Sequence, residues 1–158
     1  MEALARKVGE RLKAARAKLV TAESCTGGWA AQVVTSVAGS SAWFERGFVT
    51  YSNEAKRELL GVHEGTLRAH GAVSEETARE MAQGALSRGK GTVALAVTGV
   101  AGPGGGTPDK PVGMVCFAWA SERSVSSETR QFTGDRESVR RQSVVLALEG
   151  VLQHLERG

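Results

Sequence analysis

The amino-acid sequence predicts an α/β fold: a three-layer α/β/α sandwich on a mixed, mostly parallel sheet with a late antiparallel hairpin. Short apolar runs typical of strands alternate with helical patterns through the early part of the chain. Two consecutive strand patterns follow, joined only by a polar turn, and a helical pattern comes last. The alternation favours parallel strands with helices on both faces, and the late strand pair favours a hairpin.

Length and composition indicate a single domain over residues 1–158, long enough to bury a substantial core. Hydrophobic residues make up 41% of the chain and charged residues 23%, the balance of an ordinary soluble globular protein. No apolar run approaches the length of a membrane span, and residues 1–18 are typical of a charged helix rather than a signal peptide. We therefore expect a cytoplasmic protein with no membrane partner.

Charge and side-chain content point towards a small-molecule substrate. The formal net charge of +3 is compatible with an anionic substrate, but without a basic run it is too small to indicate nucleic acid. Aromatic residues are sparse at 5%, so a base-stacking surface is poorly supported as well. The two cysteines and three histidines lack the spacing of metal ligands. We expect no metal, no cofactor and no nucleic-acid partner.

The first third of the chain predicts two helices around a strand. Apolar residues at four-residue spacing predict a helix over residues 2–17. A short apolar strand begins at Leu19, a turn follows over residues 24–28, and a helix is predicted over residues 29–37. A Gly-Ser-Ser sequence from Gly39 then breaks this helix.

The middle of the chain predicts a strand over residues 44–51, followed by helices. Ser52 or Asn53 can cap a helix over residues 54–60, which Gly61 ends. Residues 62–72 are predicted to connect elements, with room for one short helix. Ser74 caps a further helix that extends to about residue 86.

The last part of the chain begins with a near-continuous apolar run over residues 92–98, typical of a strand buried on both faces. A glycine-rich loop follows it directly. Strands are predicted over residues 112–120 and 125–133. Asp135 or Thr133 caps the last helix, whose predicted core stripe is Val144, Leu148, Val151, Leu152 and Leu155.

The strand-to-helix turn after Leu19 is the first candidate functional element. It places Ser24 at the carboxyl edge of the sheet, where open α/β sheets bind ligands. Backbone N–H groups of the turn and the positive end of the helix suit an anion or an oxyanion. Residues of the turn, namely Cys25, Thr26, Gly27 and Gly28, are therefore candidate substrate-binding residues. The competing interpretation is that Ser24 or Thr26 merely caps the helix.

Lys56 and Tyr51 are candidates to assist a serine nucleophile, because no His/Asp pair is evident as its relay. A lysine can serve as a base if its pKa is lowered. Lys56 lies one turn into its helix, and Tyr51 closes the preceding predicted strand, so its hydroxyl could orient a group or relay a proton. The alternatives are a solvated helix charge for Lys56 and a half-buried strand aromatic for Tyr51.

The glycine-rich loop is the second candidate binding element. A strand that runs into glycines lets backbone N–H groups approach a phosphate closely. The candidate residues are Thr98, Gly99, Gly102, Gly104 and Gly105. Arg136 and Arg140, one turn apart, could pair with the same phosphate. Otherwise the loop is a flexible surface loop and the arginines are ordinary solvated charges.

Five blocks together make the chain, from about Val8 to His154, resemble the CinA C-terminal domain family. They are residues 21–28 (Thr-Ala-Glu-Ser-Cys-Thr-Gly-Gly), 48–56 (Phe-Val-Thr-Tyr-Ser-Asn-Glu-Ala-Lys), 70–74 (His-Gly-Ala-Val-Ser), 98–105 (Thr-Gly-Val-Ala-Gly-Pro-Gly-Gly) and 110–113 (Lys-Pro-Val-Gly). Characterised members of this family hydrolyse the carboxamide of nicotinamide mononucleotide (NMN). The resemblance is to the stand-alone form of the domain.

The resemblance implies a metal-free serine amidohydrolase in which Ser24 is the nucleophile and Lys56 and Tyr51 complete the active group. It also implies a homodimer. Two alternatives stay open at this point. The chain could be a non-catalytic accessory protein that binds a nucleotide or a protein partner, linked to competence and DNA damage. The nucleophile could also be Cys25, because it is adjacent to Ser24 and only the resemblance favours serine.

Overall fold

The sheet is mixed, as the sequence predicts. The computed structural model describes residues 1–157, and its five strands lie in the order β2-β1-β3-β4-β5. The strands are β1 (Leu19–Glu23), β2 (Phe44–Val49), β3 (Val93–Gly99), β4 (Met114–Ser121) and β5 (Val125–Gln131). Strand β1 pairs in parallel with both β2 and β3, whereas β3–β4 and β4–β5 are antiparallel. Only β4 therefore runs against the others, and the predicted late hairpin is confirmed.

Helices cover both faces of the sheet, which confirms the three-layer prediction. They are α1 (Glu2–Ala14), α2 (Trp29–Thr35), α3 (Asn53–Leu60), α4 (Glu64–His70), α5 (Glu75–Gly89) and α6 (Arg136–Glu156), with one 3-10 turn at Ser40–Ala42. Buried side chains of α1, α2 and α6 pack on one face of the sheet. Those of α3 and α5 pack on the other face.

The helix caps follow the local sequence closely. The side chains of Ser52, Ser74 and Asp135 each accept a hydrogen bond from the backbone N–H three residues further on, at 3.0, 3.1 and 2.9 Å. Gly61 ends α3 in the left-handed conformation with φ 69°. These caps satisfy backbone groups that a helix end leaves open, so the local sequence alone predicts them.

Some predicted boundaries are wrong by two or three residues, for reasons of local hydrogen bonding. Helix α1 ends at Ala14 because Arg16 adopts a left-handed φ of 54° and the Ala17 N–H returns to the Leu12 carbonyl. Helix α5 continues to Gly89 because the left-handed residue that ends it is Lys90. In α6, the predicted stripe is buried except for two residues that are only half-buried, Leu152 and Leu155.

The core beneath α6 depends on a close approach between a glycine and a tryptophan. The Trp119 indole lies across α6 and donates its Nε1–H to the Ala147 carbonyl at 2.9 Å. A Cβ at Gly150 would lie 2.0 Å from two carbon atoms of this ring. Trp119 is only 4% exposed, and any movement of its ring would disturb the hydrogen bond to the Ala147 carbonyl.

We expect Gly150→Ala to lower the free energy of unfolding by about 1–3 kcal/mol, because the added methyl group would overlap the buried Trp119 ring. The measurement is urea unfolding followed by circular dichroism. Gly65→Ala is the matched control, since Gly65 also lies in a helix and a Cβ added there would meet nothing within 4 Å. This control should be neutral or more stable by up to about 1 kcal/mol, as helix propensity favours alanine. Equal stability of the two variants would contradict the packing argument.

Candidate active site

The carboxyl ends of β1 and β3 meet at one edge of the sheet, beside a small cavity of about 170 Å³. Strand β1 leads directly into the turn that carries Ser24, and β3 ends at Gly99. The Ser24 N–H donates to the Val97 carbonyl at 3.0 Å, which fixes the turn to β3. The cavity is lined by Ser24, Cys25, Tyr51, Asn53, Lys56, Ala72, Val73, Thr98, Gly99, Ala101 and Arg136. We call it the Ser24 cavity.

Ser24 and Lys56 are in direct contact, although 32 residues separate them in the chain. Lys56 Nζ lies 3.0 Å from Ser24 Oγ, 2.9 Å from the Thr50 carbonyl oxygen and 3.4 Å from the Tyr51 carbonyl oxygen. An ammonium group has three N–H donors, and each can donate a hydrogen bond to one of these three oxygens. A neutral amine keeps two donors for the two carbonyls, and its lone pair can then accept the Ser24 proton. The contact is therefore compatible with proton transfer from serine to lysine.

Burial favours the neutral form of the Lys56 side chain. Its side chain is among the largest that are fully buried, with 1% of the residue exposed. No carboxylate lies within 4 Å of its Nζ among residues 1–157. Because burial penalises the charged ammonium, the pKa of Lys56 falls from 10.5 to about 8. The interpretation of Lys56 as a solvated helix charge is wrong.

Burial disfavours the reactive form of Cys25, whereas it favours the reactive form of Lys56. Its thiol is buried, and burial raises its pKa to about 12. The thiolate, rather than the thiol, is the nucleophilic form of cysteine. At neutral pH the Cys25 side chain is therefore a protonated, weakly reactive group, and the arrangement favours Ser24 over Cys25 as the reacting residue.

Glu23 caps helix α2, a role for which Ser24 and Thr26 were the candidates from sequence. Its fully buried carboxylate accepts hydrogen bonds from the N–H groups of Ala30 and Ala31 at 2.8 and 3.1 Å. It also accepts one from the Thr26 hydroxyl at 2.6 Å. Because α2 receives its cap from Glu23, the interpretation of Ser24 or Thr26 as a mere cap is wrong, and the Ser24 hydroxyl is left to Lys56.

The turn after Ser24 contains three backbone N–H groups that have no hydrogen-bond partner among residues 1–157. The Gly27 N–H bonds to the Ser24 carbonyl, and the Trp29 N–H bonds to the Thr26 carbonyl. Within residues 1–157 the N–H groups of Cys25, Thr26 and Gly28 donate to no other group. Neighbouring amides that are free of partners at such a turn are the arrangement that stabilises an oxyanion.

Tyr51 lies at the mouth of the Ser24 cavity rather than inside it. Strand β2 ends at Val49, two residues earlier than predicted, because the Thr50 carbonyl turns towards Lys56. Tyr51 is 63% exposed, so the interpretation as a half-buried strand aromatic is wrong. Its hydroxyl accepts a hydrogen bond from Arg136 at 3.3 Å and makes none with Ser24 or Lys56 in the described part of the chain.

The glycine-rich loop reaches the Ser24 cavity only through its first residues. Thr98 and Gly99 line the cavity, and the buried Gly102 uses its carbonyl to accept a hydrogen bond from Arg136 at 2.8 Å. Gly104 and Gly105 are exposed and lie outside the lining. The turn residues Thr26, Gly27 and Gly28 also lie outside it. The loop therefore forms one wall of the cavity, and its later glycines do not face the cavity.

Several residues of the site lie outside the sequence-based set. Lys110 donates to the carbonyls of His70 and Val73, and so holds one wall of the cavity in place. Asn53 lines the cavity, although its local sequence indicates only a helix cap. Glu23 does carry a signal in the sequence, because it is a carboxylate in an otherwise uncharged buried strand. Lys110 begins one of the five blocks that carry the family resemblance, but no local pattern assigns it this contact, since its partners lie about 40 residues away.

Two kinds of feature are absent from residues 1–157. No helix there has both the length and the apolar character needed to cross a bilayer. No group of three or more histidine, cysteine, aspartate or glutamate side chains is arranged to hold a metal ion.

These observations define the class of protein: a three-layer α/β/α domain with a buried serine–lysine pair at the carboxyl edge of its sheet. The chain belongs to the CinA C-terminal domain family, whose model matches residues 1–155.

Among similar proteins is the nicotinamide-nucleotide amidohydrolase PncC of Escherichia coli K12, which is 55% identical over 151 residues, or 95% of this chain and 92% of that protein. The protein of the same name from Pseudomonas putida is 54% identical and covers 95% of this chain and 94% of its own length. A solved structure of a competence-damaged protein (CinA) superfamily member from Klebsiella pneumoniae superimposes with a TM-score of 0.96 at 39% identity, covering 99% of this chain and 98% of that one.

Proposed function

We propose that this chain hydrolyses the carboxamide of NMN to give nicotinic acid mononucleotide and ammonia. The observation that carries the proposal is the 3.0 Å contact between Ser24 Oγ and the Nζ of a lysine that is buried without a counter-charge. The names of the relatives supply the substrate, since proteins 54–55% identical over nearly their whole length are nicotinamide-nucleotide amidohydrolases.

The first half of the reaction forms an acyl-enzyme. Neutral Lys56 accepts the Ser24 proton as Oγ attacks the carboxamide carbon. The negative charge that develops on the carbonyl oxygen is stabilised by the partner-free N–H groups of the turn after Ser24, first of all that of Cys25, which lines the cavity. Lys56, now an ammonium, donates its proton to the leaving nitrogen. The C–N bond breaks, ammonia leaves, and the nicotinoyl group remains on Ser24 as an ester.

The second half returns the enzyme to its starting state. Lys56 is neutral again and accepts a proton from a water molecule, whose oxygen attacks the ester carbon. The same amides stabilise the second oxyanion. Lys56 then protonates Ser24 Oγ as the ester C–O bond breaks, and the carboxylic acid product leaves as its carboxylate. One water is consumed and one ammonia released in each turnover.

Tyr51 assists from the mouth of the cavity in this proposal. Its hydroxyl accepts from Arg136 and still has its own proton to donate. It can therefore hydrogen-bond to a substrate or a water molecule that enters the Ser24 cavity. A direct relay between Tyr51 and Lys56 would require the phenol to leave Arg136, so we assign it a role in orienting the reactants.

The test is ammonia release from NMN by the purified protein, measured with a coupled glutamate dehydrogenase assay. Nicotinic acid mononucleotide should appear in equal amounts by chromatography. Dialysis against EDTA should leave both products unchanged, because the proposed chemistry uses no metal. A protein that binds NMN without releasing ammonia would support the accessory role instead. Activity that EDTA abolishes and zinc or manganese restores would contradict the serine mechanism.

A further inference from the structure

The Ser24 cavity is too small to enclose a whole nucleotide. Its volume of about 170 Å³ lies below the roughly 300–1,000 Å³ of typical small-molecule sites. A second cavity of about 540 Å³ is lined by Trp29, Arg136, Glu137 and Arg140. Arg136 lines both cavities, so the two adjoin at its side chain. A mononucleotide whose carboxamide reaches Ser24 can therefore extend past Arg136 into the second cavity, which we call the arginine basin.

The arginine basin is rich in positive charge. The guanidinium groups of Arg140 and Arg141 lie over the Trp29 ring, at 5.4 and 5.3 Å from its centroid. Arg136 and Arg140 line the basin beside the half-buried Trp29, and Arg141 lies outside its lining. The carboxylate of Glu137 is committed to Arg141 at 2.8 Å. A phosphate monoester, which carries nearly two negative charges at neutral pH, complements this arrangement.

The arginines are held in place and still have donors to offer. A guanidinium group has five N–H donors. Arg136 uses one for the Gly102 carbonyl at 2.8 Å and one for Tyr51 at 3.3 Å. Arg140 uses one for the Cys25 carbonyl at 3.1 Å and one for the Thr26 carbonyl at 3.2 Å. The remaining donors can bind phosphate oxygens with little loss of side-chain freedom.

We propose that the arginine basin is the phosphate subsite of this enzyme and selects a nucleotide over the corresponding nucleoside. The inference rests on the proposed function and names the part of that site which recognises the phosphate. It moves the predicted phosphate position away from the glycine-rich loop, whose Gly104 and Gly105 lie outside both cavities. Arg140 also connects the subsite to the turn after Ser24, through the carbonyls of Cys25 and Thr26.

Binding measurements on Ser24→Ala protein test the subsite without turnover. Calorimetric titration with NMN and with nicotinamide riboside compares ligands that differ only by the phosphate. Adding Arg136→Met or Arg140→Met should weaken NMN binding by about 10- to 100-fold, the effect of losing hydrogen bonds to a charged group. Riboside affinity should fall by a smaller factor in the Arg140→Met protein, because Arg140 lines the basin and lies outside the Ser24 cavity. Arg11→Met is the matched control, an exposed arginine of α1 that pairs with Glu156.

Tryptophan fluorescence gives a second readout that needs no nucleotide. Trp43 and Trp119 are 2% and 4% exposed, whereas Trp29 is half-buried in the basin. Inorganic phosphate should therefore change the emission of the wild-type protein, and the Trp29→Phe variant should lose this response. Chloride at the same ionic strength should have no effect, and an equal response to chloride would overturn the assignment of the response to bound phosphate.

The outcomes separate this proposal from the proposed function. Ammonia release from NMN that is insensitive to Arg136→Met and Arg140→Met would overturn the phosphate subsite and leave the amidohydrolase proposal standing. A fluorescence response to phosphate that depends on Trp29, in a protein that does not hydrolyse NMN, would do the reverse. Equal losses for NMN and the riboside in both arginine variants would also overturn the subsite.

Discussion

Ser24→Ala should remove nearly all ammonia release from NMN, with a fall in kcat of at least about 10³-fold, as in other enzymes that lose a serine nucleophile. The reason is geometric, because Ser24 Oγ is the hydroxyl at 3.0 Å from Lys56 Nζ. The variant should remain folded, since the serine side chain caps no helix and Glu23 retains its contacts with α2. The measurement is steady-state kinetics alongside circular dichroism of the same preparation.

Cys25→Ala is the matched control for this prediction. It changes the adjacent side chain by a similar volume, and its thiol, with a pKa raised to about 12 by burial, should contribute no thiolate. We expect this variant to keep substantial activity. An inactive Cys25→Ala protein together with an active Ser24→Ala protein would assign the nucleophile to cysteine.

Replacing Lys56 should have an effect of similar size, and arginine should not rescue it. Lys56→Met and Lys56→Arg are both expected to lower kcat by at least about 10²-fold, the contribution of a general base. A guanidinium group keeps its charge at all accessible pH values and cannot accept the Ser24 proton. Activity close to wild type in the arginine protein would show that Lys56 supplies only positive charge.

The pH profile of the wild type carries the signature of this lysine. Lys56 acts as a base only when neutral, and burial lowers its pKa to about 8. The value of kcat/KM should therefore rise with pH up to about 8 and then level off. The second ionisation of the NMN phosphate occurs near pH 6 and is separable from this limb. A flat profile between about pH 7 and 9 would contradict the role of Lys56 as the base.

Stability measurements check the same pKa without any substrate. Between pH 8 and 10.5 the unfolded chain holds a proton on Lys56 that the folded chain has released. The contribution of Lys56 to the free energy of unfolding should therefore increase as the pH rises through this window. The contribution is complete above pH 10.5 and is lost as the pH falls through 8. The Lys56→Met protein should lack this contribution when the two are compared by urea unfolding at each pH.

The sequence by itself determined the elements and their caps, because these depend on neighbours a few residues apart. Ser52, Ser74 and Asp135 each cap a helix through an N–H three residues further on. The same local logic placed Ser24 at a strand-to-helix turn and Lys56 one turn into α3. The homodimer implied by the family resemblance stays a prediction.

The tertiary structure decided which of these groups meet and what surrounds them. Lys56 reaches Ser24 across 32 residues, and Arg140 reaches the Cys25 carbonyl across 115. The burial that lowers the pKa of Lys56 comes from the packing of separate elements around it, and no local pattern encodes it. The positions of Arg140 and Arg141 over the Trp29 ring depend likewise on how α6 lies beside α2. Contacts between distant segments are set by the packing of the whole chain. Only these contacts bring Ser24 and Lys56 together in one site.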